Sequence, residues 1–172
     1  VVEGYMDVIA LNKVGLTNCV APLGTAVTID QINRVWRISK SPIFAFDGDD
    51  SGERALVRLA FLALPLISPE KTIKACKLPT GQDPDDIISR FGSEALVSLL
   101  EKPKSLHEII WEHETGDKKY KTPENRSLLE SRLNSILKNI KNTNLRNHFS
   151  SAFFELKRKL FSLDENSFTD FK

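Results

Sequence analysis

Short apolar runs alternate with amphipathic stretches from Val1 to Lys102, and amphipathic stretches alone follow. Residues 1–4 read as a short buried strand. Residues 6–14 carry helical spacing and stop at Gly15, a residue suited to a helix C-terminus. Residues 18–21 read as a second strand, and Leu23-Gly24-Thr25-Ala26 as a small-residue loop. Thr28 with Gln31 three places on is a capping box, which predicts a helix to about Ile38. Residues 42–46 read as a third strand, opening on Pro42 and ending at Asp47. A helix from Ser51 or Gly52 to about Leu64 follows, closed by Pro65. Its apolar residues (Ala55, Leu56, Leu59, Ala60, Leu62, Ala63) cover much of its circumference and predict burial. Residues 72–78 give a fourth strand, ended by Pro79, and Asp83 reads as a helix N-cap with Pro84 in the first turn.

Strands that alternate with helices imply an α/β fold, a mostly parallel sheet flanked by helices on both faces. After Pro103 the strand signal disappears. Residues 104–115, 123–141 and 144–162 read as three helices, with Thr122-Pro123-Glu124 as a start signal. Leu129, Leu133, Ile136, Leu137 and Ile140 form one apolar stripe; Leu145, Phe149, Phe153, Leu156 and Leu160 form another. The chain is therefore divided into an α/β domain, residues 1–102, and an all-α helical subdomain, residues 103–172. The polar tail after Ser162 is expected to fray. The chain opens inside a hydrophobic run without an initiator Met and is read as a piece of something longer, its α/β domain truncated at the N-terminal side.

The 172 residues are 41% hydrophobic and carry a formal charge of +1, so the chain as a whole is no electrostatic glue for nucleic acid. The sign is uneven. Residues 1–102 hold 11 basic and 13 acidic side chains against 13 and 10 in the remainder. Cys19 and Cys76 sit in apolar runs and read as buried free thiols of a reducing compartment, and no spacing resembles a zinc site. Neither a signal peptide nor a membrane-length apolar stretch is present.

The acidic residues cluster where strands end: Glu3, then Asp47-Gly48-Asp49-Asp50, then Asp83-Pro84-Asp85-Asp86. Ligands of open parallel sheets collect beyond the carboxyl ends of the strands. Magnesium takes one or two carboxylates together with waters and substrate phosphates. Asp47 and Asp49, two apart across Gly48, can turn toward one ion, with Glu3 as the bridge from the neighbouring strand. Two metals about 4 Å apart would clamp both oxygens of a phosphoryl transfer. Structural alternatives remain open. Asp-Gly is turn chemistry, and Asp83-Pro84-Asp85-Asp86 is what any helix start prefers. His107, His113, His148 and Trp111 read as packing or surface residues, and Lys157-Arg158-Lys159 as a solvated face or a weak nucleic-acid patch.

Four stretches resemble a known family: Glu3-Gly4-Tyr5-Met6-Asp7-Val8, Leu23-Gly24-Thr25-Ala26, Phe46 to Gly52, and Leu78 to Asp86. In order and spacing they are similar to the Toprim region of bacterial replicative primases of the DnaG type, over roughly residues 1–100. The helical remainder resembles, by position, the helical subdomain of the primase RNA polymerase core. The resemblance implies a Toprim-type sheet and synthesis of short RNA primers on single-stranded DNA by metal-assisted nucleotidyl transfer. It assigns catalysis to Glu3, Asp47 and Asp49, and metal binding to these three with Asp83 and Asp85. Gly24, Thr25 and Asp7 become candidates to lie near phosphate or nucleotide, and Asp50 a secondary acid. It implies magnesium, replaceable by manganese, with zinc confined to a domain outside this segment. Implied partners are a single-stranded DNA template, ribonucleoside triphosphates, and a replicative helicase reached through a C-terminal domain outside this segment. The resemblance places the chain in the bacterial cytoplasm at the replication fork, as a monomer that primes weakly or not at all in isolation. Three other readings stay open: a Toprim-bearing topoisomerase or nuclease, a haloacid-dehalogenase-like phosphatase, and a non-catalytic module whose helical tail docks a partner.

Overall fold

The computed structural model describes residues 1–22, 26–116 and 119–166. Its centre is a three-stranded mixed sheet in the order β1-β2-β3. β1 (Ile43–Phe46) pairs in parallel with β2 (Lys74–Lys77), Phe44 opposite Ala75, and β2 pairs antiparallel with the two-residue β3 (Lys104–Ser105). Val1 continues the sheet beyond β1 as single bonds. Its amino group donates to the Ile43 carbonyl (2.6 Å), and the Ala45 N–H donates to the Val1 carbonyl (2.8 Å). The Val2 N–H reaches the Val20 carbonyl at 3.0 Å. The strand expected at residues 1–4 therefore runs beside β1, and the one expected at 18–21 beside Val2, neither forming a ladder. Gly4 ends the first of them, because it already serves as the N-cap of α1 (Tyr5–Lys13).

Side chains alternate across the sheet and split the core in two. Phe44, Phe46, Ile73 and Ala75 face one way, against α2 (Ile29–Ile38), α3 (Asp50–Ala63) and α6 (Leu106–Thr115). Ala45, Cys76, Leu78 and Val2 face the other, against α1, α4 (Pro84–Phe91) and α5 (Ser93–Leu100). The helix signals explain these boundaries. Thr28 and Gln31 close their capping box at the start of α2 (Gln31 N–H to Thr28 Oγ1, 3.3 Å), and Trp36 Nε1–H pins that helix to the Thr72 carbonyl (2.7 Å). Gly15 ends the α1 turn at φ 86°, a backbone state in which a side chain is strained. Gly92, at φ 84°, separates α4 from α5, a helix with no clear start or stop signal in its residue types.

The helix expected from residue 104 starts later. Lys104 and Ser105 join the sheet, and Ser105 with Glu108 forms a capping box that begins α6 at Leu106. α7 (Pro123–Leu137) and α8 (Thr143–Asn166) lay their predicted stripes on the α3–α6 side of the sheet. Leu129 and Ile140 are fully buried and Phe153 nearly so. α8 continues to Asn166, past the predicted fraying point at Ser162. The larger core thus runs without a break from β1 and α3 into α6, α7 and α8. Trp111 stacks on Phe153, His107 meets Phe149 edge-on and His113 meets Phe61 edge-on, so these residues pack. Lys157 and Arg158 are paired with Glu130 and Glu155, which leaves little of the basic run unanswered. Both cysteines are free thiols, Cys76 buried and Cys19 half-buried. No helix among the described residues is long and apolar enough to cross a membrane.

Candidate metal centre

The acidic residues meet where Val1–Val2 and β1 run out. Glu3 follows the Val1–Val2 extension, and its Oε1 accepts the Asp47 backbone N–H at 3.0 Å, tying the first acidic segment to the end of β1. Asp47 is the first residue beyond β1, and Asp49 is the N-cap of α3, its Oδ1 accepting the Gly52 N–H at 2.7 Å. The helix therefore starts at Asp50, one residue before the predicted Ser51. Asp83 caps α4 in the same way, accepting the Asp86 N–H at 2.7 Å.

Two glycines draw these segments together. A Cβ on Gly48 would sit 1.9 Å from the Pro79 carbonyl oxygen, so only glycine permits this approach. Gly48 and the next acidic loop exchange backbone bonds, Gly48 N–H to Gln82 O (3.0 Å) and Gly81 N–H to Gly48 O (2.8 Å). A Cβ on Gly52 would likewise strike the Asp47 carbonyl oxygen, at 2.2 Å. The Asp47–Asp49 loop and the Pro79–Asp83 loop are locked into one unit.

Electrostatics report the same convergence. The Asp47 carboxyl is pushed up to about 6, first by withdrawal from water, then by the charges of Glu3, Asp7, Asp83 and Asp49. Its Oδ1 is buried with no hydrogen-bond partner. Asp7 is held above the usual carboxylate range, chiefly by burial, with Asp83 and Asp85 adding repulsion; backbone bonds from Gly4 and Asp85 oppose the shift. Asp7 is one of few buried charged side chains, at 6% exposure. A secondary candidate by sequence, it stands at the middle of the cluster. Glu3, Gly4, Asp7, Pro22, Ala26, Val27, Phe46, Asp47, Ser51 and Ala55 line a cavity of about 450 Å³.

Among the described residues, no three carboxylate, imidazole or thiol side chains stand close enough to form a ready-made metal cage. Unneutralised carboxylates repel, and Glu3, Asp49 and Asp83 each spend an oxygen on a backbone N–H. The donor set nevertheless fits a hard divalent cation: oxygen ligands only, a carboxyl pushed up by burial and then by neighbouring charge, and an orphaned carboxylate oxygen. Asp50, the first residue of α3, and Asp85, in the first turn of α4, flank the group. Gly24 and Thr25 lie outside the described residues; Ala26, next to them, lines the cavity. Sequence reasoning missed Gln82 and Ser51. The first holds Gly48 through its carbonyl, and the second faces the cavity from α3. Neither has a chemical signature that would separate it from ordinary loop and helix polar residues.

A mixed sheet with acids gathered at one rim and helices on both faces is the Toprim arrangement, and residues 1–81 match the family described as the Toprim domain. Over most of its length the chain is a homologue of bacterial DNA primases. It is 41% identical to the DNA primase of Rickettsia felis over 154 residues, 90% of this chain and 26% of that protein. A DNA primase domain from Pseudomonas aeruginosa superposes with a TM-score of 0.83 at 31% identity, covering 94% of this chain and 52% of that one. A DnaG primase catalytic domain bound to single-stranded DNA gives 0.81 at 29% identity, with 90% and 50% covered. The chain spans about a quarter of the length of the curated relatives it matches. The phosphatase and topoisomerase readings are not favoured by these likenesses.

Proposed function

We propose that this chain is the metal-binding catalytic part of a DNA primase, an enzyme that joins ribonucleotides into short primers on a single-stranded DNA template. The carrying observation is the meeting of Glu3, Asp7, Asp47 and Asp83 at one rim, with a buried, unpartnered oxygen on Asp47. In this reading Glu3, Asp47 and Asp49 are the catalytic ligands, and Asp83 and Asp85 complete the acidic shell. Magnesium, or manganese in its place, supplies Lewis-acid charge that a phosphoryl transfer needs and the acids alone lack. The chain's own part is orientation. Capping bonds fix Asp49 and Asp83, and the bond to the Asp47 N–H fixes Glu3, which lines the cavity together with Asp47. Phe46, Val27 and Ala55 line the cavity beside Glu3 and Asp47.

Residues 1–102 and 103–172 are proposed as the Toprim domain and the helical subdomain of one polymerase core. Ribonucleoside triphosphates are the proposed second substrate. A replicative helicase is the proposed partner, met outside these residues, and the chain is proposed to be a monomer in the bacterial cytoplasm. Electron paramagnetic resonance of manganese titrated into the chain tests the centre. The free-ion signal should be depleted by the wild-type chain and restored by Glu3→Gln combined with Asp47→Asn. A signal that the wild-type chain does not deplete refutes the reading.

A further inference from the structure

A rim of carboxylates repels phosphate, and a net charge of +1 offers a nucleic acid no general attraction. A strand held at this rim therefore needs a local cationic contact. α3 carries one. Arg54 and Arg58 are exposed and four residues apart, about 6 Å along the helix axis. Among the described residues neither has a carboxylate in ion-pair reach, whereas Lys77, Lys104 and Lys157 are each paired with a glutamate. The two arginines line a surface basin of about 400 Å³ between α3 and α6, with Asp50, Glu53, Val57 and His113. Those four residues also line the adjoining hollow that reaches Asp47 and Asp49, so basin and acidic rim form one trough. Glu53 is answered by Lys77, and Asp50 stands at the acidic end. At about 100° per residue, Arg54 and Arg58 point within about 60° of Ser51, which lines the acidic cavity from α3 together with Ala55. The trough is acidic where cations would sit and basic about one turn further along the helix.

We infer that Arg54 and Arg58 are a backbone-phosphate contact for a single nucleic-acid strand passing the acidic rim. This rests on the metal-centre reading above. Guanidinium groups bind phosphate through two parallel N–H bonds, and their spacing of one helical turn lets them take separate phosphates of an extended strand. The contact is blind to sequence and positions the strand.

The test is fluorescence anisotropy of a labelled oligothymidylate with the 172-residue chain, over a salt series at fixed magnesium. Arg54→Gln with Arg58→Gln should weaken binding several-fold. It should also lower the slope of log affinity against log salt by about 1.4, because each single-strand phosphate that is no longer neutralised takes about 0.7 from the slope. Arg34→Gln with Arg37→Gln removes the same charge from the exposed side of α2 and should leave the slope unchanged. The inference falls if the α3 pair leaves the slope unaltered, if the α2 pair lowers it equally, or if the wild-type chain shows no salt-dependent binding. Manganese depletion by the α3 double variant separates the two readings. Metal bound with an unaltered DNA slope removes the arginine contact alone. An undepleted manganese signal in the wild-type chain removes the metal centre, whatever the slope does.

Discussion

Asp47→Asn should make the metal-free chain more stable at neutral pH while removing its response to magnesium. The Asp47 carboxyl is pushed from an ordinary 3.8 to about 6 in the fold. A raised carboxyl means that the native state holds a proton the unfolded chain has already released. Stability is therefore lost as pH rises from about 4 to about 6 and stays lost above that. At about 1.4 kcal/mol per unit, two units would come to about 3 kcal/mol. One oxygen is sealed from solvent but the carboxyl as a whole is partly wetted, so screening cuts this to about 1.5 kcal/mol. Asparagine has the same shape without the charge. For a chain of this length the gain corresponds to about 3–6 °C in melting temperature. Thermal melts followed by circular dichroism at pH 7.5 in EDTA should show it, and at pH 4 the difference should vanish. Magnesium at ten times its dissociation constant should raise the wild-type stability by about 1.4 kcal/mol and leave the variant unmoved. A variant less stable than wild type at pH 7.5, or one still stabilised by magnesium, would refute the argument that charge crowding around Asp47 marks the cation position.

Two further substitutions probe the frame around the site. Gly48→Ala places a methyl group against the Pro79 carbonyl, so the two acidic loops must part; urea denaturation should show a loss of about 2 kcal/mol or more, with manganese binding lost as well. Leu129→Ala, in α7, opens a cavity in the core that α3 and β1 share and should cost about 2–5 kcal/mol. Because that core is continuous, melts read by far-ultraviolet and aromatic signals should shift together as one transition; two separated transitions would contradict the packing described.

Local chemistry was legible in the chain. The capping signals at Thr28, Asp83 and Thr122 and the glycine stop at Gly15 each mark an element boundary that the backbone obeys. The Phe44–Phe46 run ending at Asp47 located β1 and the acids behind it. These signals act over one helical turn or one strand, so neighbouring residues suffice to write them. Pairing was a different matter. Residues 1–4 and 18–21 have strand composition, yet each makes too few backbone bonds to form a ladder, and Lys104 and Ser105 join the sheet although their sequence reads as helix. Whether an apolar run finds a partner depends on residues dozens of positions away. The same holds for the site. The chain contains Glu3, Asp7, Asp47 and Asp83 as separate acids, and their carboxylate chemistry is set by residue type alone. That Asp7 joins them, and that Asp47 bears the crowding, follows from the approach of Gly48 to Pro79 and the packing of α1 on α4. Charge repulsion and desolvation depend on distance through space, and only the closed tertiary fold sets those distances.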